Sequence, residues 1–379
     1  MVDSLSGLVD LRSMRNQIFT RRDRGSVDAH DGFTTLVALR TKAGELAALR
    51  ALSQPDQVRR VQPLLQLDPS RKNPADQLDD VEGIARELRL LGRPCWIDSS
   101  DVADQPGFGA GGAMGQLADR LSGPADLLDT AFPVEFIPVV RSDAAQGPAA
   151  ALGRLGHELG AGAALRVRRP VVSTDRLAQL LEWVDLDPSE IDVALDFQYV
   201  AEVTTVLVDE AAAILTVLAG LGGFRSVSLL AGSIPKTLDK TATWEQPRTE
   251  EVFWDALVQA GAATLRLGDY GAVHPISGPG FRSNHVALKY TCRNHWLYSR
   301  ERMPEHDDHD DESPRGHTLR AVCRHLVESD SFAGPDFSWG DHEIHEAAIG
   351  RGSSLGVSSQ PVALATSHHL AYLAGRQAA

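Results

Sequence analysis

The chain has 379 residues, 43% hydrophobic and 23% charged, the balance of an ordinary globular protein. Its formal net charge of −14 argues against sequence-blind binding to nucleic acid over a broad surface, while leaving room for a local basic patch. Three distant cysteines, Cys95, Cys292 and Cys323, form no CxxC pair and support neither a disulfide framework nor a cysteine zinc site. No apolar run approaches the roughly 18 residues of a membrane span, and the arginine-rich N-terminus lacks the apolar core of a secretory signal. A cytoplasmic protein is expected, with no membrane contact.

Residues 1–32 are polar and read as an extension outside the core. An alternation of strands and helices follows. Strands are predicted at 35–41, 61–67, 94–100, 134–141, 163–169, 191–199 and 224–233. An eighth apolar run, Ala262–Leu265, leads into Arg266, Leu267 and Gly268. The helical segments between them lie at 44–52, 76–91, 113–122, 148–159, 174–184, 209–221 and 248–260, the fifth capped by Thr174 or Ser173.

Eight strands at steps of roughly 30 residues, apolar almost throughout, fit a (β/α)8 TIM-barrel-like fold over 33–277. The alternative is an open, doubly wound α/β sheet. No GxGxxG follows the first strand, which weakens a dinucleotide site, and GAGGAMG at 109–115 follows a loop. Residues 278–379 read as a β-hairpin and helical segment that completes and covers the barrel.

Several stretches together resemble the Beta protein family of phages, prophages and bacterial mobile islands. They are LRTKAGELAALRAL, PLLQL, AGSIP, LGDYGAVHP, LKYTCRNHWLYSR, FSWGD and SHHL, in unbroken order over about 34–370. The resemblance implies a role in phage–host conflict, as anti-phage defence, with a phage or defence-system protein as partner. Family members usually carry lysine at the position of Arg40 and often an acid at the position of Gln66. Neither departure bears on the barrel, which is read from spacing alone.

Polar residues gather at the predicted strand ends. In a barrel these ends share one mouth, so residues distant in sequence become neighbours. Asp98, Asp196 and Asp269 are the candidate catalytic acids, because two carboxylates in one pocket can split into an acid and a base or nucleophile. Tyr270 supplies a wall and a hydroxyl, and His369 a terminal acid–base group swinging over the mouth. Arg40, Lys42, Gln66, Arg141, Arg168, Ser233 and His274 are candidate ligand contacts; the arginines suit a phosphate or carboxylate. This set would serve a hydrolase cleaving a phosphodiester or N-glycosidic bond, or a non-catalytic sensor that binds a nucleotide or phage component. Each of these residues could instead cap a helix or sit in a turn.

In the hairpin, Arg293, Arg300 and Trp296 are candidate contacts to single-stranded nucleic acid, as aromatics interleave with positive charge there. The plainer reading packs those aromatics against the barrel. No cofactor is expected. A divalent metal would fall to His342 and His345, one helical turn apart; His306 and His309 sit in a charged loop. His368 and His369, adjacent on an extended segment, would point to opposite faces and not share a metal.

Overall fold

A computed structural model describes residues 32–376 except 53–54, 72, 109–110, 125–132, 170–172, 279–282, 306–312 and 353–354. The N-terminal extension, His306 and His309 therefore lie outside the described residues, apart from Gly32.

The barrel wall consists of β1 (Thr35–Arg40), β2 (Val61–Gln66), β3 (Trp96–Asp98), β4 (Ile137–Arg141), β5 (Ala163–Arg168), β6 (Ile191–Tyr199), β7 (Ser226–Gly232) and, after the extra strand β8 (Thr243–Pro247), β9 (Leu267–Asp269). The eight wall strands are parallel, in the order β7-β6-β5-β4-β3-β2-β1-β9. Thr35, Leu36 and Val37 of β1 pair with Leu267, Gly268 and Asp269 of β9. The other side of β9 meets β7. Ser228 bridges Arg266, the Leu229 N–H donates to the Arg266 carbonyl at 2.9 Å, and the Arg266 N–H to the Val227 carbonyl at 3.0 Å. The sheet thus closes on itself in a TIM-barrel-like fold, and the open-sheet alternative falls. Gly268 makes the seam sterically feasible, since a Cβ there would lie 2.5 Å from the Leu229 carbonyl oxygen.

Period-2 alternation divides each wall strand between two layers. Leu36, Ala38, Leu64, Trp96, Ile137, Val139, Ala164, Ala194, Leu230 and Tyr270 fill the lumen. Their neighbours, such as Val37, Leu39, Leu65, Val193 and Leu229, face the helices α1 (Ala43–Arg50), α2 (Pro55–Arg60), α3 (Pro74–Leu90), α4 (Gly112–Leu121), α5 (Gln146–Glu158), α6 (Thr174–Val184), α7 (Thr205–Leu221) and α8 (Thr249–Gln259). Caps fix several helix starts: Asn73, Ser173 and Thr204 each accept a backbone N–H of the first turn.

Beyond the barrel, β10 (His285–Thr291) and β11 (His295–Arg302) form the expected hairpin, with β8 joining as a third antiparallel strand. The short β8 has no apolar alternation of its own, so periodicity does not announce it. Helices α9 (Pro314–Val327), α10 (Trp339–Ala348) and α11 (Gln360–Gly375) pack with the hairpin around a separate core containing Val286, Leu288, Tyr290, Leu319, Val322, Leu326 and Ile344. The segment holding His368 and His369 is a helix, not an extended run, and it is buried on nearly every side. Leu370 and Leu373 of α11 join the outer-layer core with Leu267 of β9, which ties the cover to the barrel. Among the described residues, no helix is long and apolar enough to cross a membrane.

Candidate anion site at the barrel mouth

Arg166 is the centre of the lumen network. It lies on β5 two residues before Arg168, faces the lumen, and is fully buried. Its Nε donates to Asp196 Oδ2 at 2.8 Å and its Nη1 to Asp98 Oδ2 at 2.8 Å. Nη2 donates to the Tyr270 hydroxyl at 2.9 Å. With its amide oxygen turned inward, Gln66 accepts from Nη1 at 3.1 Å and Nη2 at 3.0 Å. All five guanidinium N–H groups are then used.

Two further arginines flank this hub. Arg141 Nε donates to Asp98 Oδ2 at 3.1 Å and Arg168 Nε to Asp196 Oδ2 at 3.0 Å. The remaining carboxylate oxygens are also occupied. Asp98 Oδ1 accepts the Ser100 N–H at 3.0 Å, while Asp196 Oδ1 accepts the Gln198 N–H at 2.9 Å and the Tyr270 hydroxyl. Burial would raise both acids, but the arginines outweigh it: Arg166 and Arg141 hold Asp98, and Arg166 and Arg168 hold Asp196, below the usual carboxylate range. Burial and the Asp196 charge push the Tyr270 hydroxyl far above its ordinary value, so it stays a neutral donor.

The expectation that these two acids split into an acid and a base therefore does not hold. Both are ionised, and their lone pairs are engaged. Asp98 and Asp196 orient arginines.

The outer edges of those arginines are different. Arg141 Nη1 pairs with Asp101 at 2.7 Å, but its buried Nη2 has no hydrogen-bond partner. Arg168 is held through Nε, and its Nη groups have no partner among the described residues; its side chain is 23% exposed. An unmatched buried guanidinium N–H is costly and calls for an acceptor, whether a water or a ligand oxygen.

On the opposite side of the mouth, Arg40 Nη2 donates to the carbonyls of His274 at 2.9 Å and Pro275 at 2.8 Å, and Lys42 pairs with Asp68 at 2.9 Å. These two cations are spent on structure. Glu45, buried beneath them, accepts the Arg40 N–H at 2.9 Å, and burial pushes its pKa up to about 7. Lys289 reaches in from the covering sheet to the Ala272 carbonyl at 3.0 Å, and burial lowers its pKa to about 8.

Asp269 departs from expectation. The parity that sends Tyr270 into the lumen sends Asp269 outward, against α11. There His369 Nε2 meets Asp269 Oδ2 at 2.9 Å, and His369 Nδ1 meets the Thr291 hydroxyl at 2.7 Å. The Gly271 N–H donates to Asp269 Oδ1 at 2.9 Å, and Arg248 stands 3.6 Å away. Burial opposes ionisation, but His369, Arg248 and that N–H win, so Asp269 titrates below its ordinary range. Asp269 and His369 are both fully enclosed and staple the barrel to its cover, away from the mouth. His368 makes a parallel contact to Asp341 at 2.9 Å, so the two histidines serve different acids.

Other candidates are redistributed too. Ser233 accepts the Trp296 indole N–H at 2.9 Å, and Trp296, 1% exposed, stacks on His369. Trp296 therefore cannot stack on a base. Tyr290 and Tyr298 are equally buried, which removes the aromatic platform proposed for nucleic acid. Arg293 is exposed, and Arg300 donates to the Lys240 carbonyl at 2.7 Å. His342 and His345 on α10 have no third partner, and no group of three or more His, Cys, Asp or Glu able to hold a metal occurs among the described residues.

No curated protein matches the chain. The Beta protein family model matches residues 37–375, nearly the whole described structure from β1 through α11. The match spans every element that builds the mouth, and the chain belongs to the Beta protein family.

Proposed function

We propose that this protein binds a phosphate-bearing ligand, a nucleotide or a nucleic-acid phosphate, at the barrel mouth, and acts in the cytoplasm as a non-catalytic sensor in phage–host conflict. The observation that carries the reading is the pair of guanidinium edges left over once the network is satisfied, Arg141 Nη2 and the Nη groups of Arg168. Planar guanidinium groups with fixed N–H directions suit phosphate oxygens, and anchoring each through Nε removes much of the entropy cost of binding. Hydrolysis by the mouth acids fits less well, because a base or nucleophile needs a free lone pair and Asp98 and Asp196 are engaged with arginines and N–H groups. The defence setting and a defence-system partner are part of this proposal, supported by the family's occurrence in phages, prophages and bacterial mobile islands.

Arg168→Ala tests the reading. Asp196 keeps Arg166 and Tyr270, so the fold should hold, while affinity for pyrophosphate measured by calorimetry should fall by about tenfold or more. Undiminished affinity in the variant, or no binding by the unaltered protein, would sink it.

A further inference from the structure

The end of β6 carries an irregularity with a directional consequence. Asp196 pairs with Leu230, but Gln198 pairs with Ala231 and Tyr199 with Gly232, so the strand holds one extra residue. Gln198 takes it up in the left-handed region at φ 55°, one of two non-glycine residues of positive φ among those described. Without the bulge, Tyr199 would follow Phe197 and the other odd-numbered residues into the outer core. With it, Tyr199 pairs with Gly232, on which Pro275 and Tyr270 close in: a Cβ there would lie 2.7 Å from Pro275 Cγ and 3.4 Å from the Tyr270 ring. A bulge that re-aims one side chain at a barrel rim, at a strained residue, is a feature of functional sites.

Tyr199 is partly exposed and meets the partly exposed His274 ring, with centroids 5.1 Å apart. His274 is fixed from behind. Its Nδ1 faces the Ile234 carbonyl at 2.8 Å and so carries the proton, and its own carbonyl is held by Arg40. Burial, joined by the charges of Arg40, Lys236 and Lys289, lowers its pKa, which keeps Nε2 unprotonated. Nε2 has no hydrogen-bond partner among the described residues. Gly232, the register partner of Tyr199, borders the ring of Tyr270, whose hydroxyl is bonded to Asp196 and Arg166.

We infer that the Tyr199 ring is a shelf for the base of a mononucleotide whose phosphate is held by Arg141 and Arg168, and that the His274 ring, tilted 57° to it, presents Nε2 at the base edge to accept a hydrogen bond from an exocyclic amine. This rests on the phosphate reading of the same mouth and adds the ligand's second half. A face-on aromatic contact recognises any base, and the acceptor that His274 Nε2 presents favours one that bears an amine.

Calorimetric titration of the full chain with adenosine monophosphate, inosine monophosphate and ribose 5-phosphate tests it. The adenosine nucleotide should bind about tenfold or more tighter than ribose 5-phosphate, and Tyr199→Ala should remove that advantage without changing the affinity for ribose 5-phosphate. The inosine nucleotide, with a carbonyl in place of the amine, should bind about tenfold more weakly than the adenosine one. If ribose 5-phosphate binds as well as the adenosine nucleotide, or Tyr199→Ala weakens both alike, the shelf is overturned and the phosphate site stands. Equal binding of the two nucleotides overturns the acceptor role of His274. If none of the three binds, the phosphate reading fails and the shelf fails with it.

Discussion

Arg166→Met is expected to cost at least about 3–5 kcal/mol of folding stability, measured by urea denaturation at pH 7. Methionine fills much of the same volume but leaves two fully buried carboxylates, Asp98 and Asp196, without the guanidinium that bridges them. Breaking a buried ion pair from one side is expensive because the surviving charge stays in low dielectric. Here one substitution strands two charges at once, with Arg141 and Arg168 as partial compensation. The variant should regain stability as pH falls from 7 toward 5, since protonation relieves a stranded acid. Adding Asp98→Asn to Arg166→Met should recover part of the loss, because the two residues are in contact and their effects will not add. A loss below about 1 kcal/mol would mean that water reaches these acids.

The second large effect is on pH. The folded-state pKa values of Asp98, Asp196 and Asp269 all lie below their ordinary values, so each contributes stability that is complete above about pH 4–5 and is lost as pH falls through the lowered folded values. Acidification from pH 5 to pH 2 should therefore destabilise the fold progressively, with all three aspartates contributing in the same direction. Glu45 acts with the opposite sign. Its folded pKa is raised from 4.5 to about 7, so the folded chain holds this proton more tightly and stability declines as pH rises across that window, by about 3 kcal/mol at most. The stability profile should therefore peak near pH 5. Glu45→Gln should flatten its upper side and leave the acid limb unchanged, as read from thermal melts across pH. A profile flat from pH 2 to 5 would show that the three aspartates are exposed to solvent.

Much of this architecture can be read from residue order. Each wall strand coincides with an apolar run, since a strand covered on both faces has no polar side to show. The convergence of Gln66, Asp98, Arg141, Arg168, Asp196 and Tyr270 follows once eight such runs are closed into a barrel. Arg166 was legible in principle. In AALRVRR, Arg166 and Arg168 share parity, so a strand that places one in the lumen places both there. The apolar neighbours Leu165 and Val167 marked the run as core and hid it. Asp269 is the converse case, for it shares parity with Leu267, an outer-layer residue, and only Tyr270 continues the lumen face. The two residues whose roles depend on distant chain escape such reasoning. Tyr199 reaches the mouth through a bulge that no local pattern announces, and His369 finds Asp269 across 100 residues through the docking of α11.

The central claim is that Asp98 and Asp196 serve to present arginine edges to an anion. The most direct test is a crystal of the protein soaked with tungstate, a heavy analogue of phosphate, with its position located from anomalous scattering. The account predicts a tungstate within hydrogen-bond distance of both Arg141 Nη2 and Arg168, with the Arg166 contacts to Asp98 and Asp196 intact. A mouth empty of tungstate while the ion occupies other surface sites, or carboxylates turned away from Arg166 toward the lumen opening, would contradict it.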